Sequence, residues 1–362
     1  MIIIVHWVRD GGLRSLAAWR ATLDVSIVCP VFNTSSADLE AAIQSVLTQA
    51  GRHNLELILV DDCSTDLATI SALDAASTTD ARVRVVHKAK NAGPGVARTD
   101  GIAQCRHEWI GFIDADDLWP SAKLDQADAV LLERPDSRWI SGNYATLIPN
   151  GSLRSGPHLS TILQHCGEGG TAKRIETPML TRGLIADWLP LGASLFRKDL
   201  LAEAGGFDPR LIYGEDWLLC LRLSTYAPMD YIETQTYVLR RQGMSMMRSP
   251  GRMSAKLAHS GRLARRDARL RLIRRELRWF QYRTFKDIAM NNALNGRKLR
   301  GLSYAFRALT VDPREVHDLF LFLRNLPVRG PALAKGLRGY STAEQVILAQ
   351  LAPGRLPQAR DG

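Results

Sequence analysis

Phe112-Ile113-Asp114-Ala115-Asp116-Asp117 runs from an apolar strand end straight into three carboxylates within four positions. Like charges that close raise one another's pKa unless a cation sits among them, so the cluster reads as a divalent-metal site. In Asp114-Ala115-Asp116 the intervening residue places both acidic side chains on one side of an extended backbone. Upstream, a second apolar run, Leu55 to Val60, ends in Asp61-Asp62-Cys63-Ser64-Thr65-Asp66. Downstream stands a third acidic point, Glu215-Asp216-Trp217. In open α/β sheets ligands sit beyond the carboxyl ends of the strands, so acidic strand ends point to one shared crevice.

Working outward, apolar runs and helical spacings alternate. Strands are expected at Val25 to Cys29, Leu55 to Val60, Val83 to Val86 and Trp109 to Ile113. Helices are expected at Asp38 to Gln49, Leu67 to Ala76, Gly95 to Gln104 and Ser121 to Leu132. This alternation with short connections predicts an α/β fold with a mostly parallel sheet flanked by helices. Residues 145–182, rich in Gly, Ser, Thr and Pro, read as an irregular loop region on the acceptor side of the crevice. Regularity returns with a strand at Leu191 to Phe196, a helix at Lys198 to Ala204, a helix at Asp216 to Ser224 and a strand at Asp230 to Leu239. From Ser254 the pattern is helical, with Leu263, Leu270, Ile273, Leu277 and Phe280 on one seam and arginines elsewhere. A further helical pair is expected from Ile288 to Leu309 and from Val316 to Leu323. The organisation is therefore an N-terminal extension (1–23), a domain over 24–250 and a basic helical region over 251–362.

Composition narrows the setting. The chain has 362 residues and a formal net charge of +10. That charge is concentrated in the last third: 23 Lys and Arg face 8 Asp and Glu from Gly251 onward, against 24 and 29 before it. Such a split suits an anionic surface, and an anionic membrane surface is the expected partner of the basic helices. No nucleic acid is expected, because no aromatic stacking platform accompanies the arginines. The five cysteines form no CxxC pair, which argues against zinc and against a disulfide framework and favours a reducing cytosol. Met1 to Val8 is too short to span a bilayer. The expected location is cytoplasmic, with peripheral attachment to the inner face of the plasma membrane.

Four segments then carry a resemblance: Val25-Ser26-Ile27-Val28-Cys29-Pro30-Val31-Phe32-Asn33; Val60-Asp61-Asp62-Cys63-Ser64-Thr65-Asp66; Asn91-Ala92-Gly93-Pro94-Gly95-Val96-Ala97-Arg98; and Asp114-Ala115-Asp116-Asp117-Leu118-Trp119-Pro120. In order and spacing they resemble the family 2 glycosyltransferases of the GT-A fold. The likeness continues through Leu195-Phe196-Arg197, Gly205-Gly206-Phe207-Asp208 and Glu215-Asp216-Trp217-Leu218. It implies a metal-dependent, inverting transfer of one sugar from a nucleoside-diphosphate sugar, most naturally UDP-linked, to a hydroxyl of a glycan or lipid-linked acceptor in cell-surface polysaccharide biosynthesis.

The resemblance also implies roles. Asp62 accepts the imino N–H of the base, while Asp61 shapes the loop. Pro30, Phe32 and Asn33 border the base. Arg98 offers a planar fork to a base carbonyl or to a carboxylate. Asp114 contacts the ribose, and Asp116 holds Mn²⁺ or Mg²⁺ against the diphosphate, with Asp117 either a second ligand or an outer-sphere partner. Asp216 is the expected general base, since an attacking hydroxyl must lose its proton to a carboxylate within hydrogen-bond reach. In Leu239-Arg240-Arg241-Gln242-Gly243-Met244-Ser245, Gln242 stands where the family usually has histidine. That departure and the charge asymmetry motivate the alternative, a non-catalytic sugar-nucleotide or glycan-binding subunit of a membrane-associated assembly.

Overall fold

The structure, a computed structural model, describes residues 23–49, 53–155, 170–177, 179–186, 189–240, 250–294 and 297–311. Residues 1–22 of the expected extension, Cys166, Gln242, the helix expected at Val316 to Leu323 and the chain after it lie outside the described residues.

Four parallel strands form the first half of the sheet: β1 (Asp24–Val31), β2 (Asn54–Asp61), β3 (Val83–His87) and β4 (Trp109–Phe112), in the order β3-β2-β1-β4. Their apolar runs are continuous because both faces are buried. Val25, Ile27, Cys29 and Val31 join Leu55, Leu57 and Leu59 in one core, while Val28, Ile58 and Val60 point into the other. Helices α1 (Ser36–Leu47), α2 (Leu67–Thr79) and α4 (Lys123–Glu133) cover the first face through Leu39, Ile43, Val46, Leu73, Leu124 and Val130. Helix α3 (Pro94–Gln104) covers the second. Local chemistry starts each of the first helices. The hydroxyl of Ser35 accepts from Asp38 N–H at 3.1 Å, and Asp66 accepts from Thr69 N–H at 3.0 Å. Before α3, Gly93 takes φ +86°, a left-handed conformation that glycine adopts without a Cβ clash, and Pro94 follows at the first helical position.

The second half departs from the expected rhythm. Strand β5 (Trp139–Leu147) enters the region read as irregular, which also holds β6 (Leu153–Ser155), β7 (Lys173–Ile175) and the start of α5 (Met179–Ala186). Leu191 to Phe196 is not one strand: a 3-10 turn at Leu191–Ala193 precedes β8 (Leu195–Arg197). An apolar run at the seam of two half-sheets satisfies both forms by burial alone, so its pattern does not separate them. After β8 come α6 (Lys198–Glu203), α7 (Glu215–Leu223) and β9 (Met229–Arg240). Strand β8 pairs antiparallel with both β4 and β5, which joins the halves, and β5 and β9 run parallel. The full order is β3-β2-β1-β4-β8-β5-β9-β7, with β6 on β5.

Among the described residues three helices follow: α8 (Pro250–Arg266), α9 (Arg274–Leu294) and α10 (Lys298–Val311). The helix expected from Ile288 to Leu309 is therefore two, separated after Leu294. The apolar seam of α8 and α9 does not face solvent. Leu270, Ile273 and Leu277 are buried in the same core as Phe112, Phe196 and Trp217, with Leu263 and Phe280 packed against it. Phe280 stacks on Trp217 of α7 at 4.5 Å between ring centroids.

Candidate functional site

Beyond the carboxyl ends of β1 and β2, two loops are knitted together. Asn33, at φ +48°, accepts the N–H groups of Thr65 (2.8 Å) and Asp66 (3.0 Å) on its side-chain oxygen. Asp61 accepts Ser64 N–H at 2.8 Å and lies 3.0 Å from His87 Nδ1, the loop-shaping part expected of it. The Asp62 carboxylate is buried. It accepts the N–H groups of Ala92 (3.0 Å) and Gly93 (2.7 Å) and pairs with Lys88 Nζ at 2.9 Å. It thus ties the β2 loop to the start of α3. Pro30 lies in β1 opposite Val60, and Phe32 stands half-exposed at the rim.

The acidic turn after β4 separates its three carboxylates. Asp114 is partly exposed, and Asp116 is exposed. The protein packed around Asp116, with the charge of Asp114 next, raises its pKa above the usual carboxylate value. Asp117 turns inward instead. Its carboxylate accepts the Tyr237 hydroxyl at 2.8 Å and the Arg240 N–H at 2.8 Å. Burial, then Asp114 and Asp116, push its pKa well up. Asp117 is therefore engaged in holding the turn rather than facing outward beside Asp116. Among the described residues no group of three His, Cys, Asp or Glu surrounds a common point.

Strand β9 supplies the rest of that hold. The Tyr237 hydroxyl also accepts Asp114 N–H at 3.2 Å. Arg240 Nε donates to the Asp116 carbonyl at 2.7 Å, and Nη1 pairs with Asp38 of α1 at 3.1 Å. Beneath them, Lys123 is buried, donates to the carbonyls of Gly192 and Thr236, and sits 4.2 Å from the Trp119 ring centroid. Sequence reasoning missed Tyr237, Arg240 as a brace for this turn, and Lys123. A tyrosine in an alternating strand and a lysine in an amphipathic helix carry no local signal of these contacts.

Arg98 links the two halves of the crevice. It is buried, pairs with Asp114 at 2.6 Å and with Glu215 at 2.9 Å, and lies over Phe207 at 5.7 Å. Of the two partners expected for its fork, the carboxylate is the one it meets. Glu215 is buried against α3, where a Cβ on Gly95 would stand 2.9 Å from its Cγ. Burial and the neighbouring Asp216 raise Glu215 to about 7, opposed by Arg98, which is shared with Asp114. Asp216 is half-exposed at the start of α7 and accepts the Trp217 N–H at 2.7 Å. The acidic pair thus divides into a buried partner for Arg98 and an accessible carboxylate.

Comparison with known proteins agrees with this geometry. Residues 26–137 match the model of the family described as Glycosyl transferase family 2. The putative teichuronic acid biosynthesis glycosyltransferase TuaG of Bacillus subtilis is 33% identical over 128 residues, 35% of this chain and 49% of that protein. The succinoglycan biosynthesis protein ExoO of Rhizobium meliloti is 37% identical over 114 residues, 32% of this chain and 30% of that protein. The chain thus spans about half or less of these relatives. Among solved structures, S. aureus TarS 1-349 in complex with UDP-GlcNAc superposes with a TM-score of 0.58 at 18% identity, covering 90% of this chain and 89% of that one. At that identity the likeness speaks to fold alone. Residues 26–137 thus match the family 2 glycosyltransferases, within a mixed α/β architecture that shares its fold with TarS.

Proposed function

We propose that the protein is a metal-dependent, inverting glycosyltransferase that moves one sugar from a UDP-sugar to a hydroxyl of a glycan or lipid-linked acceptor in cell-surface polysaccharide biosynthesis. The Arg98 bridge carries the reading. It brings Asp114 and the acidic turn to one end of a guanidinium and the start of α7, with Asp216, to the other. The relatives named for teichuronic acid and succinoglycan biosynthesis and the UDP-GlcNAc complex of TarS support the substrate class.

In this reading Asp62 and the rim residues Pro30, Phe32 and Asn33 border the base, and Asp114 receives the ribose. Asp116 fits Mg²⁺ or Mn²⁺, which are usually held by one or two carboxylates completed by substrate phosphate oxygens. Burial, then the charge of Asp114, raises the pKa of Asp116, and a carboxylate so placed gains from a cation. A divalent cation bound there supplies positive charge to the diphosphate as it departs. Asp216 accepts the acceptor hydroxyl's proton as that oxygen attacks the anomeric carbon and the bond to the diphosphate breaks on the opposite face, which inverts the centre. Arg98 keeps Glu215 turned inward, while Asp216 stands half-exposed beside it at the start of α7.

Calorimetric and thermal-shift titrations with UDP, GDP, dTDP and CMP, with and without Mn²⁺, test the donor half. Stabilisation by UDP that requires Mn²⁺ and disappears in Asp116→Ala is the expected outcome. Binding by none of the four overturns the reading and leaves a glycan-binding subunit as the better account.

A further inference from the structure

The helices after residue 250 carry arginines to which the proposed sugar transfer gives no part. Where α8 ends, the chain turns sharply. Asp267 caps a 3-10 turn (Ala268–Ile273) by accepting Arg269 N–H at 3.1 Å, and α9 begins at Arg274. The carboxylates at this corner are already engaged: Asp267 pairs with Arg222 at 2.7 Å and Arg269 at 2.8 Å, and Glu276 pairs with Arg182 at 3.2 Å. Arg269 also donates to the Ala204 carbonyl at 2.6 Å, and Leu270 and Ile273 are buried beneath. The corner is therefore fastened to the body on its inner side.

Its outer side is cationic. Arg266, Arg271, Arg274, Arg275 and Arg278 are exposed, and none of them forms an ion pair among the described residues. Leu272 stands among them at 82% exposure. Their charge accumulates: burial and then the charges of Arg278 and Arg266 push the neighbouring Arg265 below its ordinary range.

We propose that this corner docks on an anionic lipid bilayer, with the five guanidinium groups on headgroup phosphates and Leu272 entering the headgroup boundary. Planar guanidinium forks match phosphate oxygens bidentately, and several exposed arginines close in the chain suit an extended layer of anionic headgroups. Leu272 adds apolar area that dissolved phosphate cannot reward but a bilayer can. Trp279, the ring that α9 carries among these arginines, is half-buried with Arg283 over it at 5.6 Å, which makes it a poor platform for base stacking. The apolar seam of Leu263, Leu270, Ile273, Leu277 and Phe280 is not open to a bilayer, because it packs on the protein's own core. Helix α8 lies along α7, with Ser260 Oγ on the Tyr213 carbonyl at one end and Asp267 on Arg222 at the other. The docked corner therefore lies behind α7, at the far end from Asp216.

Flotation of the full chain with phosphatidylcholine vesicles containing phosphatidylglycerol, against phosphatidylcholine alone, tests the proposal. Recovery with the anionic vesicles only, falling as salt rises from about 0.1 M to about 1 M, is expected. Replacing Arg271→Gln, Arg274→Gln and Arg275→Gln together is expected to cut the partition coefficient about tenfold or more. Leu272→Asp should weaken recovery several-fold, and the triple Arg→Lys variant should retain most of it. Circular dichroism melts check that each variant folds. The nucleotide titration above is expected to be unchanged in all of them, so failure here and failure of the transfer reading are separately visible. Equal recovery with neutral vesicles, or undiminished flotation of the folded triple Gln variant, overturns the proposal. So does retention by a single-stranded RNA oligonucleotide at a salt concentration that releases the vesicles.

Discussion

Glu215 and Asp216 are adjacent carboxylates made unlike by their surroundings, and each has its own test. Glu215 is raised to about 7 in the folded protein, above its unfolded value, chiefly by burial. Between about pH 4.5 and about 7 the folded state then binds more protons than the unfolded one, so this group's contribution to stability falls as pH rises and levels off above 7. Glu215→Gln removes that slope. The stability of wild type relative to Glu215→Gln is expected to drop by roughly 1–3 kcal/mol across this window, read from denaturant melts at a series of pH values. A difference that is flat, or that grows with pH, contradicts the raised value. Asp216→Asn should leave UDP affinity unchanged and slow transfer by roughly 10²–10⁴. Unaltered turnover in that variant removes Asp216 as the base. The acidic residues were legible in sequence because carboxylates after apolar runs are rare without a reason. Arg98 was legible as a fork, but its two partners come from a turn 16 and a helix 117 positions away and could not be chosen by spacing.

At the scale of elements, β9 decides whether the acidic turn is rigid. Its Tyr237 ring packs where Gly192 has no side chain, and a Cβ there would collide with the ring. Gly192→Ala is expected to destabilise by about 1–3 kcal/mol through overpacking and to weaken Mn²⁺-dependent UDP binding, because the Tyr237 hydroxyl holds both Asp117 and the Asp114 N–H. Tyr237→Phe separates the two effects. It keeps the ring, leaves the buried Asp117 with Arg240 N–H as its named donor, and is expected to cost about 1–3 kcal/mol. Calorimetry that finds UDP and Mn²⁺ affinity unchanged in both variants contradicts the bracing role. The first four strands were readable because burial on both faces produces continuous apolar runs. Strand β5 was not, since half of it, Asn143 to Leu147, is only partly buried apart from Ala145 and takes its form from pairing with β9 across a register shift.

Across the whole molecule, the α/β body and the helices that follow behave as one packing unit. Phe280 of α9 stacks on Trp217 of α7, whose indole N–H donates to the Leu184 carbonyl at 2.8 Å, and Arg222 reaches Asp267. Phe280→Ala is expected to cost about 2–4 kcal/mol, and tryptophan fluorescence and far-ultraviolet dichroism should report one shared unfolding transition. Two separate transitions in the wild-type chain contradict this unity. By itself the sequence determined the fold class, the order of the first strands and helices, and which acidic residues lie at strand ends, because hydrophobic periodicity and local charge are properties of short segments. Only the tertiary structure decided which carboxylate faces outward, which arginine bridges the crevice, and that the seam of the last helices turns to the core while their arginines face outward. Those outcomes depend on pairings between residues far apart in the chain, and an apolar stripe has the same spacing whether it meets a lipid or its own sheet.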